Sequence, residues 1–289
     1  MTVNTKTNSI RKSLAEISEV SNPNLLDNPD FRVNMRGNSS YSEYDMTVNR
    51  WILSTFGSIT ITPKSNGGIT FNASEASPSG LTGLYQKLKT PIIGKATLSI
   101  KVSSISGQLN YFASGGTSRS IKTPGVYSIT VEGTADNPIT EVTIFAGASS
   151  TTADIDWVKL ELGDNATSFV PPDYNEEYRK LLWYSRPIIN ASRPAYIGET
   201  GILYIPLPEI ATMRLNKPTV LYPNFDCSLY CNGDVITING SDVNNSIVFV
   251  DNYKELYVGF KDDNKLIKYE NMPCIINLYN GFLLDAEIY

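Results

Sequence analysis

Ser58-Ile59-Thr60-Ile61-Thr62 alternates polar and apolar residues with a period of two, the pattern of a half-buried β-strand. It opens a series. Ile69 to Asn72 follows an Asn66-Gly67-Gly68 turn, and then come Leu81 to Leu88, Thr97 to Val102, Gln108 to Phe112, Val126 to Val131, Glu141 to Ala146 and Asp154 to Leu162. The runs recur roughly every 10 to 15 residues with no helical periodicity between them. Strands this short bury their apolar faces by packing sheet on sheet. A two-sheet antiparallel sandwich is therefore expected, and eight strands favour a jelly roll, which leaves few exposed edges.

Both ends of this region are marked. Ile10, Leu14 and Ile17 fall at i, i+4 and i+7, one face of a helix that Asn8 or Ser9 can cap and Asn22-Pro23 stops. About three turns are not stable alone in water, so the stripe needs a partner: the body of the protein or the same helix of sister chains. At the other end, Pro171-Pro172 can continue neither a ladder nor a helix interior. Asp173 then caps a short helix from Tyr174 to Tyr184, acidic at its start and basic later, which Arg186-Pro187 ends. A second β-rich region follows, with runs at Gly201 to Leu207, Thr219 to Tyr222, Val235 to Asn239, Ile247 to Val250, Leu256 to Phe260, Leu266 to Tyr269, Ile275 to Tyr279 and Leu283 to Ile288. The expected class is all-β. Its parts are an N-terminal helix (1–22), an antiparallel jelly-roll β-sandwich (23–172), and a linking helix with a small C-terminal β domain (173–289).

Composition narrows the chemistry. The 289 residues contain no histidine, which excludes Ser-His-Asp and Cys-His nucleophile systems and imidazole metal sites. A net charge of −5 with no Lys/Arg cluster argues against nucleic acid as a partner. No apolar run is long enough to span a bilayer, and the polar start Met1-Thr2-Val3-Asn4 is not a secretory signal. Of three cysteines, Cys227 and Cys231 lack the second pair a zinc site needs, so Cys227, Cys231 and Cys274 are expected as reduced, buried thiols.

Three segments, taken together, carry a resemblance. Asn24-Leu25-Leu26-Asp27-Asn28-Pro29-Asp30-Phe31 with Arg36-Gly37 is followed by Tyr44-Asp45 and Asn49-Arg50-Trp51. The third segment is Asp156-Trp157-Val158-Lys159-Leu160-Glu161-Leu162-Gly163, then Ala166-Thr167-Ser168-Phe169 and Pro171-Pro172-Asp173-Tyr174, with Glu176-Glu177 and Trp183-Tyr184 beyond. In order and spacing they resemble fibre-type virion proteins of bacteriophages and prophages that carry a carbohydrate-binding-module-like jelly roll. The chain departs from that pattern at Met35, where Gln is frequent, and at Leu182, where Cys is frequent. The resemblance implies a non-enzymatic, commonly trimeric protein displayed on the virion surface after synthesis in the host cytoplasm. It would be attached to other virion proteins through its N-terminus and would contact host surface glycan. A structural decoration or joint protein of capsid or baseplate is the alternative, and a glycan depolymerase a weaker one. The resemblance also implies a structural Ca²⁺ with oxygen ligands from Asp27, Asn28, Asp30 and Glu161; turn-forming Asn and Asp are the plain alternative. No other cofactor is expected.

Among aromatic residues, Trp51 fits either the core or a sugar-stacking surface. Trp157 lies out of phase with Val158, Leu160 and Leu162, which calls for a β-bulge or an interface-facing ring. Twelve of the 17 tyrosines follow Asp173. Tyr196, Tyr222, Tyr230, Tyr253 and Tyr279, several of them beside turns, are the expected glycan- and host-binding residues, and Ile10, Leu14 and Ile17 the expected oligomerisation stripe. The preference of strands for Tyr is the competing account of the bias. Asp262-Asp263 reads as a solvated hairpin tip, since neighbouring turn residues point apart and do not form a glycosidase pair.

Overall fold

In the computed structural model the alternating runs of the first half form two antiparallel sheets. The structure describes residues 21–42, 45–54, 59–76, 83–188, 191–197, 203–206, 219–221, 226–231, 234–238, 243–250, 255–260, 273–280 and 282–285. Among the described residues, eleven strands make up the first half: β1 (Asp45–Met46), β2 (Ile52–Ser54), β3 (Ile59–Pro63), β4 (Ile69–Ala73), β5 (Gly83–Ile92), β6 (Gly94–Ser106), β7 (Leu109–Ala113), β8 (Arg119–Ile121), β9 (Gly125–Gly133), β10 (Ile139–Ala146) and β11 (Thr151–Leu162). One sheet runs β1-β2-β5-β10-β7-β8 and the other β3-β4-β11-β6-β9.

The pairing defines the topology. β4 pairs with β11, β5 with β10, β6 with β9 and β7 with β8. An antiparallel ribbon of eight strands folded back on itself gives that nesting, and rolling it up brings β11 beside β6 and β10 beside β7. This is a jelly roll. Its members are β4 to β11, so β3 is an added edge strand and β8 completes the eight. Sequence periodicity missed β1, β2 and β8 because two or three residues are too few to show a period. Alternate residues of both sheets meet in one core, including Ile69, Phe71, Leu98, Ile100, Tyr111, Ile144, Ile155 and Leu160. Trp51 is fully buried there. The register of β11 shifts on both sides of Ile155, leaving Asp156 unpaired with β6. This bulge turns Trp157 outward while Val158 and Leu160 return to the core.

The helix α1 spans Tyr174–Leu181. Asp173 Oδ1 accepts hydrogen bonds from the amides of Asn175 (2.9 Å) and Glu176 (3.0 Å), the expected N-cap. The chain divides into two compact units, 1–177 and 178–289. The first extends past Pro171-Pro172 because that stretch is tied back onto the sandwich. The Arg32 guanidinium binds the Pro172 carbonyl, and the Asn28 amide donates to Glu177 Oε1 at 2.6 Å.

In the second unit, β12 (Ser185–Ile188), β21 (Phe282–Asp285) and β15 (Thr219–Leu221) form a three-stranded sheet in that order. A seven-stranded sheet contains β17 (Asp234–Ile238), β16 (Asp226–Cys231), β20 (Pro273–Asn280), β13 (Ala191–Ile197), β14 (Leu203–Pro206), β19 (Glu255–Phe260) and β18 (Val243–Val250). Three strands, β12, β13 and β16, were not expected. Prolines masked the first two. Pro187 sits on the edge strand β12, and Pro194 lies where β14 no longer flanks β13, so neither proline interrupts a two-sided ladder. The expected run Leu266 to Tyr269 lies outside the described residues. The expectation of three reduced thiols is corrected: Cys274 is disulfide-bonded. The ladder sets Cys231 directly across from Cys274, whereas Cys227 lies across from Leu278. Direct cross-strand neighbours have the Cα separation a disulfide needs, a pairing that sequence spacing alone does not reveal. No helix among the described residues is long and apolar enough to cross a membrane.

Candidate functional site

The residues that carry the resemblance form an internal hub. Asn28, fully buried, accepts the Val33 amide on its side-chain oxygen (3.0 Å) and donates to the Val33 and Asn49 carbonyls (2.8 and 3.1 Å). Its own carbonyl accepts the Trp51 indole N–H at 3.0 Å. Asn49 Oδ1 takes the Met35 amide at 2.7 Å. Asn28, Phe31 and Arg50 all hold positive φ, at 49°, 59° and 74°. For residues with a Cβ that is a strained conformation, kept only where surrounding bonds impose it. The two N-terminal motifs are therefore scaffold.

The expected metal ligands belong to this scaffold. Both Asp27 oxygens face cations, with Arg50 Nε at 3.1 Å and Lys89 Nζ at 3.0 Å. Asp30 is paired with Arg32 at 2.5 Å. Glu161, fully buried, accepts the Thr167 amide (2.8 Å) and hydroxyl (2.6 Å) and lies 3.2 Å from Lys159 Nζ. The structure gives each carboxylate its own partners, and among the described residues no three Cys, Asp or Glu side chains converge as a metal cluster. Lys159, itself buried, also donates to Ser21 Oγ (2.9 Å), Thr167 Oγ1 (2.6 Å) and the Ser168 carbonyl (3.0 Å). Trp157 stacks on Phe169 with ring centroids 4.6 Å apart. The Trp157 to Phe169 segment thus clasps the chain leaving β11 onto the five-stranded sheet.

The outer face of the six-stranded sheet has a different character. Leu84, Leu109, Tyr111, Val142 and Ile144 point into the core, so the residues alternating with them point out. Register aligns Ile52, Tyr85, Thr143 and Phe112 in one row across β2, β5, β10 and β7. The next row holds Ser54 and Gly83, then Phe145, Asn110 and Ser120. Lys87 and Glu141 face each other on the far side of Tyr85. Phe112 meets Phe145 edge-on, 6.0 Å between centroids at 80°. Gly83 admits no side chain here, because a Cβ would lie 2.2 Å from the Ile144 carbonyl. Gln108 Nε2 donates to Asn110 Oδ1 and Ser120 Oγ, both at 3.1 Å.

Ile52 is fully buried and Thr143 and Phe145 nearly so, whereas Tyr85 and Phe112 are half-buried. Neighbouring strands lie about 4.8 Å apart, which sets the Tyr85 and Phe112 positions roughly 10 Å apart across Thr143. Two separated rings beside an amide and hydroxyl group suit a ligand with alternating apolar and hydrogen-bonding surface. Sequence reading passed over these residues. The signal was present: Tyr85 and Phe112 occupy the phase opposite to Leu84 and Leu88 on β5 and to Leu109, Tyr111 and Ala113 on β7.

The expected recognition tyrosines distribute unevenly. Tyr230, on β16, is 40% exposed and lies between Val235 and Ile275 in register, both also exposed. Tyr196 lies in β13 across from Tyr204 and Pro273, and Tyr279 in β20. Tyr222, Tyr253, Ile10, Leu14, Ile17 and Asp262-Asp263 lie outside the described residues.

No protein-family model and no curated protein matches the chain. Among solved structures it is similar to the tandem CBM22-1–CBM22-2 domains of Paenibacillus barcinonensis Xyn10C, at 10% identity over 93% of this chain and 98% of that one, TM-score 0.32. The single CBM22-1 xylan-binding domain of that protein matches at 11% identity over 50% and 98%, TM-score 0.32. A family 11 carbohydrate-binding module from Clostridium thermocellum, in complex with a β-1,3-1,4-mixed-linked tetrasaccharide, matches at 14% over 52% and 99%, TM-score 0.29. Likenesses of this size assign no function, and the jelly roll stands on the chain's own strand order.

Proposed function

We propose that the chain is a non-enzymatic glycan-binding protein of fibre type, displayed on a bacteriophage virion, and that its jelly roll meets host surface glycan through the outer face of the six-stranded sheet. The observation that carries glycan binding is the pair of half-buried rings Tyr85 and Phe112, set apart by Thr143 in one row, with Gln108, Asn110 and Ser120 beside them. Virion display rests on the resemblance of the three segments. The commitment of Asp27, Asp30 and Glu161 to internal partners takes these carboxylates out of a glycosidase pair and favours binding over hydrolysis. Shallow contacts of this kind become strong through several copies, as a trimer would provide. In a glycan array followed by titration, Tyr85→Ala and Phe112→Ala should each weaken binding roughly ten- to a hundredfold, the loss of a stacking contact. Retained affinity in both variants overturns the site.

A second reading places recognition in the second unit, favoured by Tyr230 exposed between Val235 and Ile275. Under it, Tyr230→Ala weakens binding and Tyr85→Ala does not.

A further inference from the structure

Where β5 turns into β6, the first unit carries a groove. Its volume is about 410 Å³, and Leu25, Leu88, Pro91, Ile92, Ile93 and Leu162 line it. Leu25, Leu162 and Ile93 form a lip that is 37%, 56% and 69% exposed. Among the described lining residues the polar side chains are Thr90 and Lys89, and the Lys89 ammonium already lies 3.0 Å from Asp27. A groove lined by six apolar residues and two polar ones suits the apolar face of an amphipathic helix better than a polar small molecule.

The chain enters the described residues close by. Ser21 Oγ donates to the Ser168 carbonyl at 2.6 Å and accepts from Lys159 Nζ at 2.9 Å. Lys159 stands three residues before Leu162 on β11, roughly 10 Å along the strand. Four residues, at most about 14 Å of chain, separate Ser21 from Leu25 on the lip. Just upstream lie Ile10, Leu14 and Ile17, whose stripe would extend about 10 Å on a helix. We propose that this groove seats the Ile10/Leu14/Ile17 stripe of the chain's own N-terminal segment. The short tether gives that segment an effective concentration in the millimolar range, far above that of any separate chain. The stripe cannot serve both this groove and a bundle of sister helices, so the two roles exclude each other.

The test uses the full chain with a photo-crosslinking residue in place of Leu14 (Leu14→p-benzoylphenylalanine). Irradiation should link position 14 to residues 88–93 or to Leu162 within one chain, read by peptide mass mapping of the band that runs as a single chain. Ile93→Glu with Leu162→Glu should cut that yield at least fivefold. Both residues are exposed, so an unchanged thermal transition will show that the variant remains folded. Links between chains at residues 10–17, links elsewhere in the same chain, no link, or an unchanged yield in the double variant would each overturn the assignment.

Discussion

Tyr111 carries a buried hydroxyl without a hydrogen-bond partner inside the apolar core of the sandwich. Burial pushes its pKa up to about 12, with Arg119 opposing and Tyr127 adding to the shift. Below pH 10 the hydroxyl is neutral in folded and unfolded chains alike. Between pH 10 and 12 the unfolded chain loses its proton first, so folding stability falls as pH rises, by about 2 to 3 kcal/mol over that window. Tyr111→Phe should stabilise the protein by about 1 kcal/mol at neutral pH, because it removes an unsatisfied buried group. It should also flatten the alkaline loss in denaturant titrations at pH 8 and 11. Lys159 is the opposite case, a buried charge with every proton used. Lys159→Met leaves Glu161 buried without its cation and should destabilise by about 3 to 5 kcal/mol. Adding Glu161→Gln should restore part of that, measured as a double-mutant cycle. A double-variant loss equal to the sum of the two single losses would mean that the two charges are not coupled.

At the scale of elements, the approach of β5 to β10 depends on Gly83. A Cβ there would meet the Ile144 carbonyl at 2.2 Å and Phe145 Cβ at 2.9 Å, so the strands must separate to admit it. Gly83→Ala is expected to lower stability by about 2 kcal/mol, the scale of overpacking. It should also disturb the Tyr85 row, so glycan affinity falls together with the melting temperature. In the second unit the ladder between β16 and β20 makes a specific claim about the disulfide. Cys231→Ser should free Cys274 for alkylation under non-reducing conditions, and Cys227→Ser should leave it protected. The reverse pattern would show that the strand register is wrong.

For the whole molecule, the clasp around Lys159 and the bond from Asn28 to Glu177 imply that residues 163–177 complete the jelly roll. A fragment of residues 21–177 should unfold cooperatively, and one of residues 24–162 should melt at a lower temperature or fail to fold. The same pair of units separates the two recognition readings. If the six-stranded face is the site, residues 21–177 compete with whole particles for host cells and residues 178–289 compete poorly. The opposite ranking would move recognition to the neighbourhood of Tyr230. Sedimentation of the full chain at micromolar concentration checks multivalent display: with the N-terminal stripe seated in its own groove, a trimer has to form through other surfaces, and a monomer alone counts against display.

Much of the fold was legible in the sequence for a local reason. Strands such as Ile59–Pro63, Ile69–Ala73 and Leu109–Ala113 announce themselves by alternation within five residues, and Asp173 caps its helix through bonds two and three residues away. The bulge beside Trp157 was legible too, as a slip in phase along a single strand. What the sequence left undetermined depends on contacts between residues far apart in the chain. Asp27 looks like a metal ligand until folding brings Arg50 and Lys89 to it, and Glu161 until Thr167 and Lys159 enclose it. Cys274 looks like a free thiol until a strand more than forty residues upstream lies beside it. The Tyr85 and Phe112 face exists only because β10 lies between β5 and β7, and that order is set by rolling up the ribbon, not by any local pattern. Local periodicity fixes which way a side chain points within its strand, whereas tertiary pairing decides which side chains become its neighbours and so what chemistry they share.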